Sequence, residues 1–253
     1  MSGPTPAESR DGLPVLSIVI PAYNEERFIG TLLERILAVD LEPLGLAREI
    51  IVVDDCSKDR TAAIASSFPT VRVQRQARNG GKGAAVRTGI ALATGRYLLI
   101  QDADLEYDPA DHVPMLRALL EGQADSIYGS RYMTQADRGG LASLLTAKHA
   151  SQGWAAYLGG RSLSLVAWAL TGTYLTDTVT ALKLFRRDCL LDLGLQTTGF
   201  ELDHEITAKS LARRRTVAEV PVRYFPRGRE EGKKIGLRDW FRAVRTFWRY
   251  RRG

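Results

Sequence analysis

Two acidic side chains, Asp102 and Asp104, directly follow the apolar segment Tyr97–Ile100. A short apolar run of this kind is typical of a buried strand in a parallel sheet, and open α/β sheets bind ligands at the carboxyl ends of their strands. Residues two apart in an extended chain point the same way, so the two carboxylates should converge. Their hard oxygen atoms suit Mg²⁺ or Mn²⁺ shared with substrate phosphates. Solvated loop acids are the alternative, because an Asp-x-Asp pair alone is a weak signal.

A second pair of acids, Asp54 and Asp55, ends the apolar segment 49–53. Two strands that end in acids at one edge of a parallel sheet are costly unless cations or ribose hydroxyls receive the carboxylates. The glycine-rich segment 79–83 contains Lys82 and precedes a predicted helix, so its N–H groups and its ammonium group are suited to an anion. Its spacing fits neither a P-loop nor a dinucleotide-binding fingerprint, and a plain flexible loop stays open as the alternative.

Further candidates lie at the ends of other elements. Arg131 follows a predicted strand and would place a cation at the same sheet edge. Glu201 and Asp203 open a predicted helix, where they either line the cleft or serve only the helix dipole. Tyr23, a large aromatic at the end of the first strand, is suited to flank a nucleobase.

Strand-like and helix-like segments alternate along the chain, which predicts an α/β, Rossmann-like fold with a mostly parallel sheet flanked by helices. Asn24 is the expected N-cap of the first helix. The apolar stretch Leu141–Leu175 fits core or membrane-interface helices and is too interrupted to span a bilayer. The predicted strands are 15–20, 49–54, 71–74, 97–100, 125–131 and 217–222.

The chain has 253 residues, of which 45% are hydrophobic, and this is enough for one α/β domain with a substantial core. Its two cysteines, Cys56 and Cys189, are too few for a disulfide framework or a zinc site and favour a reducing compartment. Residues 1–13 lack an apolar core and are expected to be a disordered leader, not a secretory signal. No run approaches the ~18 apolar residues that cross a bilayer, so we expect a cytoplasmic protein, peripheral at the cytoplasmic face of the membrane.

The net charge of +6 is concentrated at the carboxyl end of the chain. Residues 227–253 contain ten Lys and Arg against three acids and carry +7, which leaves −1 on all the other residues. We therefore divide the chain into the leader, a domain over 14–226, and a basic loop and amphipathic helix over 227–253.

The helix predicted between Leu237 and Arg252 has an apolar side and an arginine side. The apolar side consists of Leu237, Trp240, Phe241, Val244, Phe247 and Trp248, and the opposite side consists of Arg238, Arg242, Arg245, Arg249 and Arg252. Aromatic rings and guanidinium groups in this pattern suit a helix that lies among lipid headgroups, so we predict a membrane contact. The alternative is a surface helix that packs its apolar side on the domain or on a partner subunit.

Six motifs in this order resemble the family 2 inverting glycosyltransferases, and most closely the polyprenyl-phosphate and dolichyl-phosphate hexosyltransferases. The motifs are Ile-Pro-Ala-Tyr-Asn-Glu (20–25), Val-Asp-Asp-Cys-Ser (53–57), Asn-Gly-Gly-Lys-Gly (79–83), Asp-Ala-Asp (102–104), Gly-Ser-Arg (129–131) and Glu-Gly-Lys-Lys-Ile (231–235). The resemblance covers nearly all the chain from Leu16. It implies a GT-A fold and transfer of a hexose from a nucleotide sugar of the GDP-mannose or UDP-glucose type.

The resemblance also implies roles for individual residues. The implied nucleotide-sugar-binding residues are Pro21, Tyr23, Glu25, Asp54, Asp55, Lys82, Asp102 and Ala103. The implied ligands of Mg²⁺ or Mn²⁺ are Asp102, Asp104 and Glu106. The implied acceptor-phosphate residues are Arg131, Arg161 and Lys234.

Two acceptor chemistries stay open. Displacement at the anomeric carbon requires neutralisation of the departing diphosphate, which a metal ion and Lys82 would supply. A polyprenyl phosphate is already an anion, so it needs cations to position it and no general base. A hydroxyl acceptor on a glycan or glycolipid needs a base, and Asp203 stands where the related enzymes have a carboxylate. The catalytic residues are therefore predicted to be Asp104, Asp203 and Arg131.

Two other interpretations compete with a glycosyltransferase. A sugar nucleotidyltransferase should have a glycine-rich loop with Arg directly after the first strand, where Pro21-Ala22-Tyr23 stands instead. A basic-tailed nucleotide-binding module without enzymatic activity would leave the paired acids unexplained. We expect a nucleotide sugar, a lipid phosphate and a membrane surface as partners and no nucleic acid, and the oligomeric state stays open.

Overall fold

The computed structural model describes residues 14–133, 154–226 and 237–252, and these residues form one seven-stranded sheet covered by helices. The strands are β1 (Val15–Ala22), β2 (Ala47–Asp54), β3 (Val71–Arg75), β4 (Tyr97–Ile100), β5 (Ser126–Ser130), β6 (Lys183–Arg186) and β7 (Val217–Pro221). The α-helices are α1 (Ile29–Ala38), α2 (Thr61–Ser66), α3 (Lys82–Leu92), α4 (His112–Glu121), α5 (Trp154–Thr171), α6 (Arg187–Asp192), α7 (Leu202–Ala212) and α8 (Leu237–Tyr250), and single 3₁₀ turns lie at Glu42–Leu44 and Pro109–Asp111.

The sheet has the strand order β3-β2-β1-β4-β6-β5-β7 and is mostly parallel, as predicted. Strand β6 is the exception, because it lies antiparallel between β4 and β5. The sequence did not predict β6, which has only four residues. The order places β1 between β2 and β4, so Asp54 and Asp102 follow strands on either side of β1. This edge of the sheet is where we expected the site.

The first helix begins later than we predicted. Helix α1 starts at Ile29, whereas Asn24 has a φ of 55° and lies five residues earlier in the chain. The Asn24 side-chain oxygen accepts a hydrogen bond from the backbone N–H of Lys58 at 2.8 Å. The prediction that Asn24 caps this helix is therefore wrong, because its carbonyl joins two loops at the carboxyl edge of the sheet.

The two faces of the sheet build two hydrophobic clusters. In β1, Ile18 and Ile20 belong to the cluster that includes α1 and α4, whereas Val19 belongs to the cluster that includes α3 and α7. This division follows from the two-residue alternation of side chains along a strand. Because helices cover both faces, ligands have access at the edge formed by the strand ends.

Helix α8 packs on α5 and α7 through a face that overlaps the predicted apolar side only in part. Ala243, Phe247 and Tyr250 are buried there, while Phe241 and Trp248 keep 64% and 57% of their surface exposed. The predicted set of six apolar residues therefore does not form one free face. Ala243 and Tyr250, which lie outside the predicted apolar side, are docked instead, and Phe241 and Trp248 are left exposed beside the arginines.

Several predictions fall wholly or partly on residues that the structure does not describe. These are the leader 1–13, residues 141–153 of the apolar stretch Leu141–Leu175, and the basic loop 227–236 with Lys234. In the described part of that apolar stretch, α5 confirms the predicted helix. Within the three described ranges, no helix has both the length and the apolar character needed to cross a bilayer.

Candidate active site

Lys82 stands between two carboxylates that come from distant parts of the chain. Its ammonium nitrogen lies 2.9 Å from Asp102 Oδ1, after β4, and 3.1 Å from Asp203 Oδ2, in the first turn of α7. Burial alone would lower the pKa of Lys82, but the attraction of Asp102 and Asp203 outweighs burial and raises that pKa above its usual value. Lys82 is therefore a fixed positive charge at the ends of the strands.

A second lysine, Lys183 in β6, lies beneath this pair and is fully buried. Its Nζ lies 3.7 Å from Asp203 Oδ1 and 4.8 Å from the ring centre of Tyr128, and it donates a hydrogen bond to the Thr180 carbonyl oxygen. Burial lowers the pKa of Lys183 to about 8, although Asp203 acts in the opposite direction. Burial would raise the pKa of Asp203, but Lys82 and Lys183 together hold it below its usual value.

Lys183 is a residue of the site that the sequence analysis missed. The signal was present, because a single lysine stands between Leu182 and Leu184 in an otherwise apolar segment. Lysine is rarely buried unless it is paired, so a lysine at such a position indicates a carboxylate nearby in the fold.

The backbone of the glycine-rich segment 79–83 binds a carboxylate of the protein itself. The backbone N–H groups of Gly80 and Gly81 donate to the two oxygens of Asp55, each at 2.8 Å. Gly81 has a φ of +90°, and a Cβ there would lie 2.6 Å from the Thr198 carbonyl oxygen. The segment is thus held between β2 and the chain before α7, so the plain flexible loop does not describe it. Both N–H groups are thereby paired with the carboxylate of Asp55.

The remaining nucleotide-site candidates lie around the end of β1. Pro21 is buried in the strand, and the exposed ring of Tyr23 follows it. Asp54 is fully buried and pairs with Arg75, with Nε and Oδ2 3.2 Å apart. The backbone N–H of Glu25 donates to Thr61 Oγ1 at 2.8 Å. The structure therefore brings the candidates to one edge of the sheet, and Asp54 already has a cationic partner there.

The three predicted metal ligands are not assembled as one set. Among the residues that the structure describes, no three His, Cys, Asp or Glu side chains form a group suited to hold a metal ion. Glu106 accepts a hydrogen bond from the Tyr224 hydroxyl at 2.9 Å. Leu105 has a φ of 58°, so the chain turns after Asp104 and the strand alternation that would align Glu106 is lost. The role of Glu106 as a third metal ligand stays a prediction.

Asp102 and Asp104 by themselves fit a divalent ion. Both are partly exposed at the end of β4, Ala103 between them is buried, and both offer hard oxygen atoms. Mg²⁺ is usually bound by one or two carboxylates together with substrate phosphates and water, so a third protein ligand is not required.

Arg131 is held by a buried carboxylate. Its Nε and one terminal nitrogen lie 2.7 and 2.8 Å from the two oxygens of Asp177, which is fully buried. Burial would lower the pKa of Arg131, but Asp177 raises it well above the usual value. Arg161, also buried, lies 5.6 Å from the ring centre of Tyr132, at the same distance as Arg131. Two of the three predicted acceptor-phosphate residues therefore flank one aromatic ring, and Lys234 lies outside the described residues.

A mostly parallel sheet with an Asp-x-Asp pair and a lysine at its carboxyl edge is the arrangement expected of the GT-A fold of glycosyltransferases. Residues 17–192 match the family model described as glycosyl transferase family 2. The chain therefore belongs to glycosyl transferase family 2, as the motifs predicted.

Relatives in this family include enzymes named for lipid-phosphate substrates. The chain is 30% identical to the dolichol-phosphate mannosyltransferase of Pyrococcus furiosus over 232 residues, which are 87% of this chain and 59% of that protein. It is 32% identical to the dodecaprenyl-phosphate galacturonate synthase of Rhizobium johnstonii over 186 residues, which are 71% of this chain and 50% of that protein. The chain thus spans a little more than half the length of the first relative and half the length of the second.

A solved structure supports the fold. The glucosyl-3-phosphoglycerate synthase of Mycobacterium tuberculosis, in complex with Mn²⁺, uridine diphosphate and glucosyl-3-phosphoglycerate, superposes with a TM-score of 0.66. The two chains are 19% identical, and the match covers 99% of this chain and 86% of the other. At this identity the comparison establishes the GT-A architecture alone.

We predict that Glu219, which fixes the loop of Asp177, makes the protein less stable as the pH rises. Its carboxylate accepts hydrogen bonds from the N–H groups of Thr176 and Asp177 at 2.7 and 2.9 Å, and burial raises its pKa from 4.5 to about 7. Because the folded pKa is the higher one, its contribution is complete below pH 4.5 and is lost as the pH rises through about 7. Between these values its share of the unfolding free energy should fall by about 1.4 kcal/mol per pH unit.

Chemical denaturation of the wild type and Glu219→Gln from pH 4.5 to 8 measures this share as the difference between the two curves. Subtraction removes the opposite contribution of His112 and His204, whose pKa values burial lowers to about 3 and about 4. Glu121→Gln, at an exposed position of α4, is the control and should give a constant difference. A constant difference for Glu219→Gln as well would contradict the prediction.

Proposed function

We propose that this protein transfers a hexose from a nucleotide sugar, of the GDP-mannose or UDP-glucose type, to a polyprenyl phosphate at a membrane face. The observation that carries the proposal is the pairing of Asp203 with both Lys82 and Lys183. A carboxylate whose pKa is held low by two cations is a weak base, so it is poorly suited to remove a proton from a hydroxyl acceptor. A phosphate acceptor needs no such base, and the names of both relatives refer to a lipid phosphate.

The residues of the site suit this displacement. Lys82 keeps its proton next to Asp102, where the donor diphosphate is proposed to lie, and opposes the negative charge that develops on the leaving group. A divalent ion held by Asp102 and Asp104 would supply further neutralisation of that charge. Arg131 is oriented by Asp177 before any ligand binds, so it can position an acceptor phosphate with little loss of side-chain entropy. Tyr23 offers an exposed ring to the nucleobase.

Metal dependence is tested with Asp104→Asn. The substitution keeps the shape of the side chain and removes its charge, so nucleotide release in the presence of a polyprenyl phosphate should fall by about 100-fold, comparable to the loss of one transition-state contact. Excess chelator should lower nucleotide release by the wild type to the same extent, and added Mn²⁺ or Mg²⁺ should restore the activity. Glu121→Gln is the control for loss of a distant charge. Full activity of Asp104→Asn, or of the wild type in chelator, would refute this part of the proposal.

The acceptor class is tested with Asp203→Asn. If the acceptor is a phosphate, the folded variant should keep its rate within about tenfold, because no proton has to be removed from the nucleophile. If a hydroxyl is the acceptor, loss of the base should cost about 100-fold or more. Lys183 loses its buried partner in this variant, so circular dichroism must confirm the fold at the assay temperature. A strong loss of rate in the folded protein would favour the glycan or glycolipid acceptor.

The membrane contact is supported by two neighbouring helices. On α8, Phe241 and Trp248 project outward beside the arginine row. On α5, which packs against α8, Leu158 and Trp168 are 60% and 41% exposed. Exposed aromatic and apolar side chains next to guanidinium groups match the composition of a surface that lies at the lipid headgroups.

The double variant Phe241→Ser/Trp248→Ser tests this contact. Both side chains are exposed, so stability should change little, while sedimentation with anionic liposomes should weaken by about tenfold or more as two interfacial rings are lost. Leu191→Ser, at an exposed apolar position on α6, serves as the control. These substitutions are preferable to removal of α8, because Phe247 is buried and its loss would uncover the domain. Liposome binding equal to that of the wild type would show that α8 is an ordinary surface helix.

A further inference from the structure

The side chain of Tyr224 contacts two charged groups that the sequence analysis assigned to different parts of the site. Its hydroxyl donates a hydrogen bond to Glu106 Oε2 at 2.9 Å. The guanidinium carbon of Arg131 lies 5.2 Å from the centre of its ring. Burial raises the pKa of Tyr224, although the charge of Arg131 and a hydrogen bond from it act in the opposite direction. The hydroxyl therefore stays protonated near pH 7, and it accepts from Arg131 while it donates to Glu106.

The position of the Tyr224 ring is fixed by the chain around it. The segment after β7 pairs with the loop after β4 through a bridge between Tyr107 and Tyr224, whose ring centres are 5.4 Å apart. The backbone N–H of Phe225 donates to the Glu106 carbonyl oxygen at 2.8 Å. The Tyr107 hydroxyl lies 3.3 Å from Thr180 Oγ1, which anchors the second ring in turn. The Tyr224 hydroxyl oxygen therefore has a defined place between its two charged neighbours.

Arg131 keeps donors after its contacts within the described part of the chain. A guanidinium group has five N–H groups. Asp177 accepts from Nε and from one terminal nitrogen, and the Tyr224 hydroxyl accepts one further hydrogen bond. Among the described residues, these contacts leave two N–H groups for an acceptor phosphate at the end of β5. A second carboxylate on Arg131 would use these donors and cancel the charge on which phosphate binding depends.

Glu106 is the carboxylate within reach of Arg131. One hydroxyl oxygen contacts both side chains, so the two charged groups lie within about 6 Å of each other, which is two hydrogen-bond lengths. The Arg131 side chain is only 11% exposed, and opposite charges attract more strongly where water is restricted. A neutral hydroxyl between them gives Glu106 a donor without using the charge of Arg131.

We propose that Tyr224 is a positioning residue for the acceptor phosphate, because its hydroxyl keeps Glu106 from pairing with Arg131 and so preserves the Arg131 donors for the phosphate. The inference rests on the proposed function and adds to it a residue that none of the six motifs contains. Asp177 sets the orientation of the guanidinium group, and Tyr224 keeps the other nearby carboxylate away from it. The loop after β4 and the end of β5 are thereby linked through one hydroxyl group.

The test measures binding of geranyl phosphate, a soluble isoprenoid phosphate, to the full chain by calorimetry, without a sugar donor or a divalent metal. Tyr224→Phe keeps the ring and removes the hydroxyl, so Glu106 gains access to Arg131 and the affinity should fall by about tenfold, the size of one charged hydrogen bond. Glu106→Gln removes the competing charge, so the double variant Tyr224→Phe/Glu106→Gln should bind within about threefold of Glu106→Gln alone. Tyr97→Phe, at the other end of β4, is the control and should bind as the wild type does.

Two results for the folded variants would overturn the inference alone: no loss of affinity in Tyr224→Phe, or a loss that Glu106→Gln does not relieve. No binding by the wild type at millimolar geranyl phosphate would refute the phosphate acceptor of the proposed function, and the inference with it. In the transfer assay at saturating nucleotide sugar, Tyr224→Phe should raise the KM for the lipid phosphate by about tenfold and change kcat by less than about threefold. A fall in kcat with an unchanged KM would show instead that Tyr224 only supports the fold.

Discussion

The contact of Lys82 with Asp102 and Asp203 holds the site together. It joins the end of β4, the first residue of α3 and the first turn of α7, and Lys82 and Asp203 are 121 residues apart in the sequence. Without this ammonium group, two partly buried carboxylates would share the strand ends with less positive charge, which is costly in a region of restricted water. The geometry of the sheet edge therefore depends on a cation supplied by the chain itself.

The other acids at this edge of the sheet also have partners within the chain. Asp54 pairs with Arg75, and Asp177 pairs with Arg131. Asp55 accepts hydrogen bonds from two backbone N–H groups. Each of these carboxylates fixes a loop or a side chain that would otherwise be mobile. The site is thus largely organised by internal charge pairs, and Asp102 and Asp104 stay partly exposed at the end of β4.

The sequence predicted the elements well and their partners poorly. The apolar runs located six of the seven strands within a few residues, because burial on both faces leaves a strong local signal. The partners of Asp55 and Lys82 lie 25 and up to 121 residues away, so no local pattern identified them. Asn24 was assigned as a cap from its neighbours in the sequence alone, although its side-chain carbonyl accepts a hydrogen bond from the backbone N–H of Lys58. In α8, periodicity identified an amphipathic helix, but the docked side was decided by the shapes of α5 and α7.

The ring of Phe247 lies against His204, whose neighbour in the chain is Asp203, so α8 is joined to the helix that carries part of the site. The docked residues of α8 and its outward row of Phe241 and Trp248 lie on different sides of one helix, and the helix cannot roll to bury both. If Phe241 and Trp248 enter a bilayer, the docked helix α8 would hold the rest of the domain at a fixed distance from the lipid. Packed helices have axes about 8–10 Å apart, so one such layer would separate α7 from the lipid headgroups. The phosphate of a polyprenyl phosphate would have to rise across that fixed height to react, so the first isoprene units of its tail would leave the lipid with it.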